Sequence, residues 1–186
     1  MKKYLVIVLT GLVLFSCSNS GQNSTPAAAD NEHNQVVITN DMENAAAKVP
    51  SWINETSVVK MENGKAHSGE FVSKVDDKNL YSYAYREYLN NINEKLPKRV
   101  VVNGWVNSPD AAKGLGVIMD INEKNVPVIW KTCSLNTNVK TPNTWYEFTA
   151  YFQIDKPIKP DYQLKVYGYS GQKLAYFDDF KITIEY

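Results

Sequence analysis

From residue 36 to the end, the chain is a succession of short segments in which apolar and polar residues alternate, each closed by a turn signal. The last segment shows the pattern best: Phe180, Ile182 and Ile184 alternate with Asp179, Lys181, Thr183 and Glu185. A period of two puts alternate side chains on opposite faces of a strand, so one face of each segment is buried. The same rhythm recurs at Val36–Thr39, Glu70–Val75, Arg99–Val106, Leu115–Ile121, Val126–Cys133, Trp145–Phe152 and Gln163–Tyr169. Turn-forming clusters separate them: Asp76-Asp77-Lys78-Asn79, Asn107-Ser108-Pro109-Asp110, Asn122-Glu123-Lys124-Asn125 and Ser170-Gly171-Gln172-Lys173. Tyr81, Tyr83 and Tyr85 are expected on one face of a further strand, and Arg86–Leu96 is the one helix candidate. Many short strands at near-regular spacing predict an all-β fold, an antiparallel β-sandwich or jelly roll spanning residues 36–186 as one domain.

Composition excludes several chemistries. Lys and Arg number 20 and Asp and Glu 20, with no basic patch, so nucleic acid is not an expected partner. His33 and His67 are the two histidines, which leaves no Ser-His-Asp set and no His-rich zinc site. Cys133, within an apolar-rich segment, reads as a small buried residue and not a nucleophile. A glycosidase pair would have to come from Asp120, Glu147, Asp178 and Asp179. Asp178 and Asp179 are neighbours on a strand and are expected on opposite faces, so they do not flank one bond. The chain is therefore read as non-catalytic.

The start is different in kind. Lys2 and Lys3 precede the apolar run Tyr4–Phe15, too short to span a bilayer, and Ser16-Cys17 follows. This resembles a bacterial lipoprotein signal. The resemblance implies cleavage after residue 16, a lipid on Cys17 and attachment to a membrane without crossing it. Residues 17–35 are small and polar and read as a flexible tether. The tether lacks the acidic run after the Cys that resembles the surface-export signal of Bacteroidetes-type lipoproteins, which favours the periplasmic side of an outer membrane.

Five motifs in order resemble the galactose-binding-like jelly roll of carbohydrate-binding modules of families four, nine and twenty-two. They are Asn40-Asp41-Met42-Glu43 ahead of Trp52, Gly64–Phe71 with its Ser68-Gly69, Gly104-Trp105-Val106, Trp145, and Tyr176-Phe177-Asp178-Asp179-Phe180. Met42 departs from the Phe usual in the family. The resemblance implies a structural calcium ion held by Glu43, Asp41, Asp178 and carbonyls of the Lys65–Ser68 loop, those of Lys65 and His67 among them. Calcium takes several hard oxygen ligands of this kind. Without a cation, Asp178 caps a turn through hydrogen bonds, and Asp41 and Glu43 are solvated.

A sugar site on such a sandwich is expected on an outward face, where pyranose rings stack on aromatics and polar groups take the hydroxyls. Alternation turns Trp105, Trp130, Tyr151, Tyr167 and Tyr169 outward, with Asn103, Glu147 and Lys165 as polar partners. Aromatic pairs that merely stabilise a sheet give the same pattern. The function expected is binding of a polysaccharide or oligosaccharide. The alternative is a protein-interaction or adhesion module with an envelope protein partner, and a jelly-roll lyase or hydrolase is more distant.

Overall fold

The structure, a computed structural model, describes residues 34–61, 65–110 and 114–186. The leader, Cys17 and the tether to residue 33 lie outside them, as do Glu62, Asn63 and Gly64. Eleven strands form two antiparallel sheets. The larger sheet has the order β3(Val58–Lys60), β4(Phe71–Val75), β11(Ala175–Glu185), β6(Arg99–Asn107), β9(Tyr146–Gln153), with β1(Gln35–Asn40) also paired to β11. The smaller has the order β2(Trp52–Ile53), β5(Ala84–Tyr88), β10(Gln163–Tyr169), β7(Gly116–Glu123), β8(Val126–Ser134). The all-β sandwich expected from the strand rhythm is the fold observed.

Turns between strands carry the backbone conformations that their residues permit. Lys124 and Asn125 join β7 to β8 with φ of 50° and 67°. Gly171 and Gln172, with φ of 62° and 69°, carry the chain from β10 in the smaller sheet to β11 in the larger. At the β7–β8 hairpin, two successive left-handed residues suit the tight turn, because its twist matches the right-handed strand twist.

The inner faces meet in an aromatic core. Phe177 and Phe180 stack at 6.0 Å between ring centroids, Phe148 meets both edge-on, and Trp52 packs on Tyr83 and Phe180. Phe177 and Phe180 are three residues apart, so strict alternation cannot turn both inward. A register shift in β11 between Asp178 and Lys181, with Asp179 at φ 50°, resolves this as a bulge. Gly168 makes room for the same cluster: a Cβ there would stand 2.6 Å from the Phe177 ring. Gly168→Ala is therefore expected to cost about 1–3 kcal/mol by overpacking. Urea unfolding checks this as a lower midpoint at unchanged slope.

Three local expectations are corrected. The Arg86–Leu96 segment is not one helix: Arg86–Tyr88 ends β5, and a single helical turn follows at Leu89–Ile92. The Tyr81–Tyr85 segment does not keep one face, because β5 begins only at Ala84, leaving Tyr81 47% exposed while Tyr83 and Tyr85 are buried. Cys133 is half-buried rather than buried, and burial pushes its thiol pKa up.

Candidate functional site: an aromatic cleft on the smaller sheet

The eight candidate binding residues divide between two faces. Val102 and Val106 are buried, so Asn103 and Trp105 face outward from the larger sheet, where they pair with Thr149 and Glu147 of β9. Tyr151 pairs with Val101 on the same face and is 66% exposed. Lys165, Tyr167 and Tyr169 alternate with buried Leu164, Val166 and Gly168, and so face outward from the smaller sheet. Trp130, 54% exposed, joins them through pairing with Asp120, which itself pairs with Lys165. No single surface contains all eight.

On the larger sheet Trp105 is covered. The His67 ring stacks on it at 3.7 Å between centroids and 12° between planes. Asn103 donates its amide to Thr149 Oγ1 at 2.7 Å. Stacking by a further ring is blocked on that side of Trp105, and the Asn103 amide is engaged.

On the smaller sheet Lys165 and Tyr167 line an open cleft of about 490 Å³, and Trp130 and Tyr169 lie outside its lining. Tyr167 and Tyr81 form its aromatic wall, with ring centroids 5.0 Å apart and an edge-on geometry. Tyr169 backs Tyr81 at 6.0 Å and is bridged to it through the backbone. Asn54 holds the Tyr81 segment in place by donating Nδ2 to the Tyr81 carbonyl at 2.6 Å. Asp120, Lys165, Ala84 and Ile53 complete the floor.

Asp120 is the informative residue here. It is 8% exposed, and its Oδ1 has no hydrogen-bond partner among the described residues. Its Oδ2 accepts from Asn122 Nδ2 at 3.3 Å. Burial raises the carboxyl pKa, opposed by the neighbouring Lys165 charge and the Asn122 bond. A buried acceptor without a donor costs free energy, and such a group at the floor of a cleft is suited to receive a ligand hydroxyl. Burial likewise raises the Tyr167 phenol pKa, and the neighbouring Trp130 indole offsets part of the effect. Sequence reading weighed Asp120 as a catalytic carboxylate and missed Tyr81 as a wall. The signal for Asp120 was a lone charge within an otherwise apolar strand, Gly116–Ile121.

Asp120 and Glu147 do not form the carboxylate pair considered from sequence. Asp120 and Glu147 lie on the outward faces of opposite sheets, so they cannot flank one glycosidic bond. Asp178 is 0% exposed. Asp178 and Asp179 also do not point apart as alternation predicts, because the bulge turns both toward the 65–70 loop.

That loop holds the residues assigned to calcium. Asp178 Oδ2 accepts from the backbone N–H groups of His67 and Ser68 at 3.0 and 3.2 Å, and Oδ1 accepts from Asp179 N–H at 2.8 Å. Asp179 takes the Ser68 hydroxyl at 2.7 Å and the His67 Nδ1 at 2.6 Å. Glu43 Oε1 accepts from the N–H groups of Glu70 and Phe71, each at 2.9 Å. The Lys65 carbonyl accepts from Trp145 Nε1 at 2.8 Å. Asp41 accepts from Glu43 N–H at 3.2 Å and is exposed. Burial, helped by the adjacent Asp179 charge and opposed by its N–H partners, pushes the Asp178 pKa up to about 6.

The donor set is chemically right for calcium, being carboxylate and carbonyl oxygen. Asp178 is a buried carboxylate with no Lys or Arg ion pair among the described residues. Among those residues no three of His, Cys, Asp and Glu gather as a metal-holding group, so a cation would have to draw on carbonyls as well as Glu43 and Asp178. Gly69 lets the Glu43 carboxylate lie against the 65–70 loop with or without a cation. Its φ is 54°, and a Cβ would stand 2.3 Å from Glu43 Oε1. Gly69→Ala is expected to cost about 2 kcal/mol through strain and loss of the Glu43 bonds. Thermal melting and faster proteolytic nicking of the 65–70 loop would register it.

No family model matches the sequence, and no curated protein matches it. Solved structures do. The CBM22-2 xylan-binding domain from Paenibacillus barcinonensis Xyn10C superposes with a TM-score of 0.50 at 12% identity, covering 79% of this chain and 98% of that one. The N-terminal CBM22-1–CBM22-2 tandem domain from Paenibacillus barcinonensis Xyn10C gives 0.52 at 13% identity, covering 82% of this chain and 46% of that one. The chain has the jelly-roll fold of carbohydrate-binding modules. At this level of identity the likeness is one of fold.

Proposed function

We propose that the protein is a non-catalytic carbohydrate-binding protein that lays a glycan chain along the outward face of the smaller sheet. Tyr167 and Tyr81 supply flat surfaces for the apolar faces of pyranose rings. Asp120 accepts a hydroxyl, and Lys165 donates to another. Trp130 extends the stacking surface across β8. The observation that carries the reading is the unpartnered Asp120 Oδ1 at the floor of an aromatic cleft. The similarity in fold to a xylan-binding domain supports it. Electrophoresis through gels containing xylan, galactan or β-glucan tests it. Retardation by at least one polysaccharide is expected, and equal mobility in every gel rejects the proposal.

Two parts of the account rest on sequence resemblance. Cys17 carries the lipid that holds the protein to an outer membrane; incorporation of labelled fatty acid, lost in Cys17→Ser, is the expected result. Calcium is held by Glu43 and Asp178 with carbonyls of the 65–68 loop, where it would neutralise buried carboxylate. A melting temperature that falls on adding chelator is expected, and no change argues against the ion.

A further inference from the structure

A second hollow, of about 430 Å³, opens on the outward side of the larger sheet, at the loop end of the sandwich. Its floor is Asn107, the last residue of β6, and its flanks include Trp145 and Tyr176. Pairing explains the arrangement: Asn107 lies opposite Tyr176 of β11, and Val106 opposite Tyr146 brings Trp145 alongside. Asn107 is 3% exposed, and its Oδ1 has no hydrogen-bond partner among the described residues. A buried amide oxygen left unpaired carries a desolvation cost that a ligand donor would relieve.

The rim is held in place by bonds that serve no strand ladder. Trp145 donates its indole N–H to the Lys65 carbonyl at 2.8 Å. Ser108 donates its hydroxyl to the Leu174 carbonyl at 2.9 Å, and its own carbonyl accepts from Asn143 N–H at 3.0 Å. Loops from four parts of the chain are thus tied around one unpartnered acceptor. A fixed rim lowers the ordering cost of binding.

We propose that this hollow is a second sugar site, which takes a single pyranose ring at a chain end or side branch. A pyranose presents an apolar face to an aromatic flank and hydroxyl donors to the Asn107 oxygen. The hollow shares no lining residue with the cleft and lies on the opposite sheet. One molecule would then hold the body of a glycan on one face and a terminus on the other, which raises avidity for branched material. The inference presupposes that the protein handles glycans, and otherwise it rests on separate residues.

Protein labelled with ¹⁵N at tryptophan has four indole signals, from Trp52, Trp105, Trp130 and Trp145. Trp145 reports on the hollow, Trp130 on the cleft, and buried Trp52 on folding. The probes are methyl β-xyloside, methyl β-galactoside and methyl β-glucuronide, followed by xylohexaose. The Trp145 signal is expected to move saturably with at least one glycoside, in wild type and in Tyr81→Ala/Tyr167→Ala alike. Asn107→Ala is expected to weaken that response about 10-fold or more. Tyr176→Ala provides a second variant should Asn107→Ala lose the Trp52 signal of the folded state. A static Trp145 signal with every probe overturns the second site, as does an undiminished response in both variants. Movement of Trp130 alone with xylohexaose leaves the cleft standing and removes the hollow. Movement of Trp145 alone does the reverse, and stillness of both removes the two together.

Discussion

Asp120→Ala lowers glycan affinity by about 10- to 100-fold and leaves the folded protein no less stable. The two halves of this expectation share one cause. Asp120 is buried in the floor of the cleft with one oxygen unpartnered, and burial raises its pKa. A carboxylate in that position is a cost to the fold until a ligand hydroxyl reaches it. Removing it leaves Asn122 Nδ2 its bond to the Gln163 carbonyl at 3.2 Å, and water entering the shortened floor of the open cleft takes the amide's second N–H. A residue needed only for the fold would behave in the opposite way, losing melting temperature first and binding as a consequence. Calorimetric titration and thermal melting on the same samples separate the two. Lower stability at unchanged affinity would place Asp120 in the scaffold.

The second large effect concerns pH. The Asp178 carboxyl has a folded pKa of about 6 against 3.8 for the unfolded group. A raised pKa in an acid means that the neutral form is the one the fold prefers. Its stabilising contribution is therefore complete below about pH 4 and is lost as pH rises through about 6. In chelator, the loss across that window is expected to be about 2–3 kcal/mol, or roughly 5–10 °C in melting temperature. Asp178→Asn removes this slope and leaves that of the other carboxylates. Calcium added at pH 7 is expected to restore the loss in wild type and not in the variant, since a ligand of the folded state stabilises it by mass action. A wild-type curve that parallels Asp178→Asn in chelator would contradict the assignment.

Much of the scaffold is legible in the chain. Alternation identifies the inward and outward residues of β6, β9, β10 and the Phe180–Ile184 part of β11, and the turn clusters fall between strands. Sheet membership is not legible, because antiparallel pairing brings together segments far apart in sequence. Trp105 and Tyr167 each read as outward aromatics, yet they belong to opposite sheets. The bulge at Asp179 is also hidden. It depends on a single left-handed residue, and it turns both acidic neighbours toward one loop while letting Phe177 and Phe180 share the core. Tyr81 was missed for a related reason, since the chain leaves the strand pattern between it and Tyr83. His67 gave no sign that its ring would sheathe Trp105, since nothing local to a loop histidine encodes a partner in a distant strand.

The cleft is the centre of the functional account, and calorimetric titration tests it directly. Hexasaccharides from β-1,4-xylan, β-1,4-galactan and β-glucan would be titrated into wild type and into Tyr81→Ala/Tyr167→Ala. Saturable heat is expected with at least one hexasaccharide in wild type; in the variant, at an unchanged melting temperature, the heat of the cleft is expected to vanish, leaving only the weaker component of the Asn107 hollow. An affinity undiminished by loss of both tyrosines, or a wild type that binds none of the three, would contradict it.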